Sequence, residues 1–403
     1  MELLYISASC SKKKNEELYS IQHTHVLQPQ QKFHNQLITG LSKVDGINVI
    51  CLSAYPLSAS TCDVKYFPAE DEIVSDSLKY HYIPLNNGRL TRYTSLLKNS
   101  RRFIEEWEQL TRGKERVVIA DVINIFLTLN CFNFLKKERI PLLGIITDVP
   151  TLCTKMKQRH EGFFKNLFTQ LIEHITELSL TRYNAYIPVT KTINDRLNKT
   201  AKPYIVIEGS VDNTLFYNRV SSQKPRVVMY AGGVYEKYGL KLLVDAFDRL
   251  QTDAELHIYG NGTYVDSVRE KCKTNPRIQY KGVVSVDKIF QLERNATLLV
   301  NVRPSDEDFS IYSFPSKVHE YMSTGTPALL TKLKGIPEVY YKYCFTVNKE
   351  DCDGVYAALK DVLSRSDEEL TRVGREAFDF VSKEKNNLEQ GRRIISFIRG
   401  LNI

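Results

Sequence analysis

Ser313-Phe314-Pro315-Ser316-Lys317-Val318-His319-Glu320-Tyr321-Met322, continued by Ser323-Thr324-Gly325-Thr326-Pro327-Ala328-Leu329-Leu330-Thr331, reads as a helix, a glycine stop and a buried strand. Ser313 has the chemistry of an N-cap, and Pro315 fits a first turn that needs no backbone N–H there. Phe314, Val318, Tyr321 and Met322 fall on one apolar face. Ser313, Ser316, Lys317 and Glu320, spaced i, i+3, i+4, i+7, share another. Free N–H groups, hydroxyls and an ammonium at a helix start favour an anion. One turn further on, Glu320 can accept hydrogen bonds from sugar hydroxyls. A nucleotide carries both kinds of group. The same spacing also fits an ordinary amphipathic helix with a solvated polar face.

Working outward, the pattern repeats. Arg226–Gly233, Glu255–Gly262, Ile278–Val284 and Ala296–Val302 read as strands that run into glycine turns or loops. Gly239–Leu250 and Val286–Arg294 have a helical period, and a strand at Cys344–Val347 precedes a helix from about 351. Alternating strand and helix predicts an α/β domain with a parallel sheet covered on both faces. Ligands of such sheets bind beyond the carboxyl ends of the strands, where segments 232–233, 260–262 and 303–320 fall. The N-terminal half repeats the pattern less regularly. Strands are expected at Leu3–Ser7, Ile47–Leu52, Val117–Ala120 and Leu142–Thr147, and helices at Gln30–Leu41, Tyr93–Leu110 and Asn124–Lys136. The expected domains are 1–208, with a C-terminal helix over 385–403 packing back on it, and 209–384.

The 403 residues exceed one typical core. With 42% hydrophobic and 25% charged residues the composition is that of a soluble globular protein, and no run is as long as a membrane span. The start, Met1-Glu2-Leu3-Leu4-Tyr5-Ile6-Ser7, enters a strand without a signal-peptide pattern. Eight scattered cysteines without C-x-x-C argue against disulfides or a zinc site. The net charge of +8 favours an anionic partner: nucleotide, nucleic acid or anionic lipid. A nucleic-acid binder is the reading from charge alone; no such module is recognised, and the basic residues are spread along the chain.

Tyr230-Ala231-Gly232-Gly233, Glu236-Lys237-Tyr238-Gly239-Leu240-Lys241-Leu242-Leu243, Tyr259-Gly260-Asn261-Gly262, Tyr280-Lys281-Gly282-Val283-Val284 and Ser313–Pro327, in that order, resemble the C-terminal domain of glycosyltransferase family 4. The resemblance is to the bacterial branch that builds capsule, exopolysaccharide or O-antigen chains. It covers 226–347 well. The N-terminal half matches loosely, through Gln31-Lys32-Phe33-His34-Asn35 and Gly144-Ile145-Ile146-Thr147-Asp148-Val149-Pro150.

The resemblance implies a GT-B fold, two Rossmann-like doubly wound domains facing across a cleft, with acceptor in the first and nucleotide-sugar donor in the second. It implies retaining transfer without metal or other cofactor, a UDP-sugar by preference, and a glycan acceptor, lipid-linked as is usual in this branch. The location implied is the cytoplasm, peripheral on the membrane face. In the family's Glu-x7-Glu signature Glu320 matches the second Glu, on the ribose. Tyr312 replaces the first, and Asp306, Glu307 or Asp308 could supply a carboxylate from the preceding loop. Gly233 and Tyr238 stand where the family often places Arg and Lys, so Lys237, Arg303 and Lys317 are the available cations. Lys317 and Arg303 are expected on the diphosphate, where a lost donor costs on the order of 10²–10³ in rate. Gly232 and Gly233 would let backbone N–H groups reach the phosphates, or simply make a strand-to-helix turn. Gly260, Val284, Ser313, Phe314, Pro315 and Ser316 complete the expected donor site.

Asp148 is expected at the acceptor hydroxyl as base, or as a turn residue before Pro150. His34 reads as a packing residue, and Ser9, Ser11 and Lys12–Lys14 as a loop whose lysines are solvated. Cys153–Phe168, basic and apolar at once, fits an anionic membrane surface or a helix docked on its own domain. A catalytically silent nucleotide-sugar-binding subunit and a non-hydrolysing sugar-nucleotide epimerase of the same fold are the alternatives.

Overall fold

The computed structural model describes residues 1–23, 29–152, 163–217 and 225–401. The chain forms two compact units: Met1–Ser210 with Asn386–Ile403, and Val211–Lys385. Segment 153–162, most of the basic and apolar stretch singled out above, lies outside the described residues.

In the second unit the strands are β10 (Val227–Ala231), β11 (Glu255–Tyr259), β12 (Ile278–Gly282), β13 (Leu298–Asn301), β14 (Ala328–Thr331) and β15 (Phe345–Val347). They pair in the order β12-β11-β10-β13-β14-β15, all parallel. Alternate residues of β10 face opposite cores. Val228 and Tyr230 join Leu240, Leu243 and Phe247 on one side, and Met229 and Ala231 join Val318, Tyr321 and Met322 on the other. Both faces are therefore buried, as the near-continuous apolar strands require. Each fully buried aliphatic side chain contributes about 1.5–3 kcal/mol.

The first unit repeats this plan. β1 (Glu2–Ser7), β2 (Asn48–Ser53), β5 (Leu78–Tyr82), β7 (Arg116–Asp121), β8 (Leu142–Ile146) and β9 (Ala185–Pro188) form a parallel sheet in the order β5-β2-β1-β7-β8-β9. β4 (Glu70–Ser75) adds an antiparallel edge to β5, and Tyr66–Phe67 pairs with Leu85–Asn86 apart from the sheet (β3 and β6). Strands β4, β5 and β9 were not anticipated from sequence. The expected helix over 124–136 is broken into a 3-10 turn, Val122–Leu127, and a helix, Phe132–Lys137. Asp121 caps the turn at Ile123 and also holds the Asn124 amide, whose backbone is non-helical (φ −86°, ψ 46°). The expected loop after β1 is a helix, Lys12–Tyr19, capped by Ser11. Lys14 is not solvated but buried, and ion-paired to Glu17 and Glu70.

The last helix, Asn387–Arg399, packs on the helix Pro29–Ser42 within the first unit. A Cβ on Gly40 would lie 1.9 Å from the Asn387 carbonyl oxygen, and one on Gly391 2.6 Å from that of Gly40. Backbone meets backbone there, and neither side can yield. Gly40→Ala therefore destabilises by about 1–3 kcal/mol, outweighing the roughly 1 kcal/mol of helix propensity that alanine gains. Thermal unfolding checks this, at about 2–4 °C per kcal/mol; an unchanged or higher Tm contradicts it.

Candidate active site

In the second unit the strand order reverses between β10 and β13, which opens a crevice at their carboxyl ends. Gly232 follows β10, and Arg303 lies just past the end of β13. The helix Ser316–Thr324, between β13 and β14, carries Lys317 and Glu320. Lys317 Nζ donates to Glu320 Oε1 at 2.5 Å and to Glu293 Oε1 at 3.2 Å. Glu293, on the helix Val286–Asn295, is fully buried, and its Oε2 has no hydrogen-bond partner among the described residues. Burial pushes its carboxyl up to about 8, against the pull of Lys317. Lys317 is raised as well: burial would lower it, but Glu293 and Glu320 outweigh that and raise it.

Beneath Lys317 lies the buried Tyr321 ring, 5.6 Å from Nζ. Arg303 stacks over Tyr238 at 4.8 Å and Phe309 at 5.5 Å; its Nε has no hydrogen-bond partner among the described residues, and burial lowers its proton affinity. Lys237 sits over the same two rings, at 5.5 and 5.7 Å. Tyr238 and Phe309 are thus shared by two cations, a cation–π arrangement at the crevice. Two cations without carboxylate partners among the described residues, and a third held between carboxylates, suit a diphosphate with a hydroxyl-bearing sugar beside it.

Several expectations need correction. Ser313 is not the N-cap: the helix starts at Ser316 with Pro315 at the cap position, and Ser313 Oγ has no hydrogen-bond partner among the described residues. The N–H of Gly232 goes to Tyr259 O, and that of Gly260 to Gly282 O, so neither is free for a phosphate. Gly260 is required because its φ is +127° and a Cβ would lie 1.8 Å from Gly232 O. Phe314 packs against His319 and Tyr340, and Val284 against the core. Glu307 stands at the N-cap position of the short helix Asp308–Ile311 without a side-chain capping bond; it and Asp308 are exposed, as is Ser316. Glu293 was missed because a lone polar residue in an amphipathic helix gives no sign of being buried.

The first unit has its own polar cluster at the matching reversal, between β1 and β7. Tyr5 Oη lies 2.6 Å from His34 Nδ1, and His34 Nε2 lies 3.2 Å from Asp121 Oδ2. Asp148 accepts from Gln30 Nε2 at 3.2 Å, and its proton affinity is raised by burial and by the nearby Asp121. His34 is buried, as a packing residue should be; its Nδ1 bonds Tyr5, while its Nε2 faces Asp121 without a hydrogen bond among the described residues. Asp121 was missed, although it ends a strand just as Asp148 follows one.

Residues 225–365 match the family model for Glycosyl transferases group 1. No curated protein matches the chain. Among solved structures, sucrose-phosphate synthase from Thermosynechococcus elongatus is similar at 13% identity and TM-score 0.66, over 99% of this chain and 98% of that one. The apo lipopolysaccharide outer core galactosyltransferase WaaB is similar at 15% and 0.63, over 99% of both chains. Anabaena HepE in complex with UDP and glucose is similar at 12% and 0.57, over the whole of both. The fold is GT-B.

Glu293 has a stability consequence. With its folded proton affinity raised from 4.5 to about 8, the folded state binds the extra proton between those values, so stability falls as pH rises through that window. Glu293→Gln removes the effect. The variant's stability relative to wild type should rise with pH from about 5 to 8, by up to about 1.4 kcal/mol per pH unit. Denaturant titrations at several pH values check this; a pH-independent difference contradicts it.

Proposed function

We propose that this chain is a retaining glycosyltransferase that moves a sugar from a nucleotide-sugar donor, a UDP-sugar by preference, to a glycan acceptor carried on a lipid. The observation that carries the reading is the Arg303, Lys317 and Glu320 constellation at the strand reversal of the second unit. The family match over 225–365 and the GT-B neighbours, one of them holding UDP and glucose, support glycosyl transfer from a nucleotide sugar. Retention follows from the resemblance to the family.

In this reading Glu320 accepts hydrogen bonds from the ribose hydroxyls, while Lys317 and Arg303 offset the charge that develops on the departing diphosphate. Asp148 takes the proton of the acceptor hydroxyl. Its raised proton affinity brings it closer to working pH, as a general base requires. The work is done at the cytoplasmic membrane face, where a lipid-linked acceptor is presented.

Thermal shift of wild type and Glu320→Ala against UDP, GDP, ADP and CMP is the direct test. A ligand at 100 times its Kd stabilises by about 2.7 kcal/mol. One nucleotide should raise the Tm of wild type and fail with the variant; no response to any nucleotide contradicts the donor reading. Asp148→Asn should keep that shift and lose about 10²–10⁴ in acceptor-dependent turnover. Nucleotide binding with no turnover on any glycan acceptor would favour the regulatory subunit, to which Tyr312 at the first signature position already points.

A further inference from the structure

The helix Phe163–Ser179 is inverted. Its buried positions include Glu173, Thr176 and Ser179, while Leu167, Leu171 and Leu178 are 56%, 54% and 60% exposed. With His174 these leucines follow i, i+4, i+7, i+11, a continuous stripe along one face. Single exposed leucines are ordinary, but a helix that turns polar groups inward and a leucine row outward calls for an apolar partner.

What adjoins the stripe indicates the partner. Leu178 borders a cavity of about 400 Å³ with Phe132 and Arg182. Both of those residues also line the next cavity, of about 410 Å³, together with Lys136, Arg139 and Lys202. No carboxylate lines this second cavity among the described residues. Lys202 is held in place by the carbonyls of Thr181 and Tyr183. The cavity lies at the amino ends of β8 and β9, marked by Leu142 and Asn184, on the edge of the sheet opposite Asp148. It is therefore separate from the reacting edge.

We propose that this face of the first unit docks on an anionic phospholipid bilayer. The leucine stripe enters the boundary between head groups and acyl chains, and the Lys136, Arg139, Arg182 and Lys202 cavity receives head-group phosphates. Apolar row and acid-free cationic cavity are contiguous, which matches the layering of a bilayer surface, apolar beside anionic. The inference deepens the lipid-linked acceptor reading, and on that reading it brings the protein to its acceptor.

Vesicle co-sedimentation of the full chain tests it. Wild type should pellet with vesicles of phosphatidylcholine and phosphatidylglycerol and not with phosphatidylcholine alone. Lys136→Gln with Arg139→Asn should lower partitioning about 25-fold, at about fivefold per charge; asparagine suits position 139, where φ is +52°. Leu171→Gln with Leu178→Gln should lower it about tenfold or more. Absence of wild-type binding, or equal binding by the charge variant, overturns the proposal. So does a dimer in light scattering that the leucine variant dissociates, since the stripe then meets a second copy. The nucleotide-induced Tm shift should be the same in all three proteins, so failure here is distinct from failure of the donor reading.

Discussion

The reversal of strand order fixes where the carboxyl edge of each sheet opens into a crevice. A chain that lays down three parallel strands in one direction and then three in the other must reverse once, and the connections diverge at that point. Both sheets follow this order. In the second unit the reversal sets Arg303 beside the glycine turn at Gly232. In the first it sets Asp121 at the end of β7 beside β1. The chemistry-bearing residues of both units gather at these points because close-packed strands elsewhere along the carboxyl edge leave less room.

Within the second unit the buried charges are out of balance. Lys317 faces two carboxylates, one of them fully buried. Taking charges out of water costs several kcal/mol per ion, and a shared ammonium only partly offsets that for two carboxylates. Glu293 therefore holds a proton more tightly than an ordinary glutamate. On the donor reading this matters when a diphosphate arrives, since the new anion competes for the same ammonium. Protonation of Glu293 leaves Lys317 paired with the charge of Glu320 alone. The carboxylate nearest the core is thus the one best placed to adjust.

Much of this was legible in the residues, for physical reasons. The strands of the second unit are short runs rich in apolar residues, the first three of them running into glycine, so their positions and parallel pairing followed from pattern. Glu320 and Lys317 were readable because helical spacing puts them on one face. The strands β4 and β5 were not, since Glu70–Ser75 and Leu78–Tyr82 mix charged and polar residues as an edge hairpin does. Ser313 was misplaced as a cap because cap preference says nothing of where Pro315 redirects the chain. Glu293 gave no local sign, because its burial and its partner Lys317 come from elsewhere in the sequence, whereas Asp121 carried the same mark as Asp148, a carboxylate at the carboxyl end of a strand. Gly232 was read with Gly233 as an opening for a phosphate, whereas its N–H is taken by Tyr259 O; the close approach of two loops accounts for Gly260.

The return of Asn387–Arg399 to the helix Pro29–Ser42 orders events during synthesis. The second unit is an uninterrupted run, Val211–Lys385, and can fold as it emerges from the ribosome. The first unit lacks its final helix until that run has been made, a wait on the order of 10–35 s at about 5–20 residues per second. Throughout that interval the Gly40 face of the earlier helix has no cover. A chaperone that holds nascent chains, or a protease that trims them, meets the first-made half in its least finished form, and the half made later is the sooner complete.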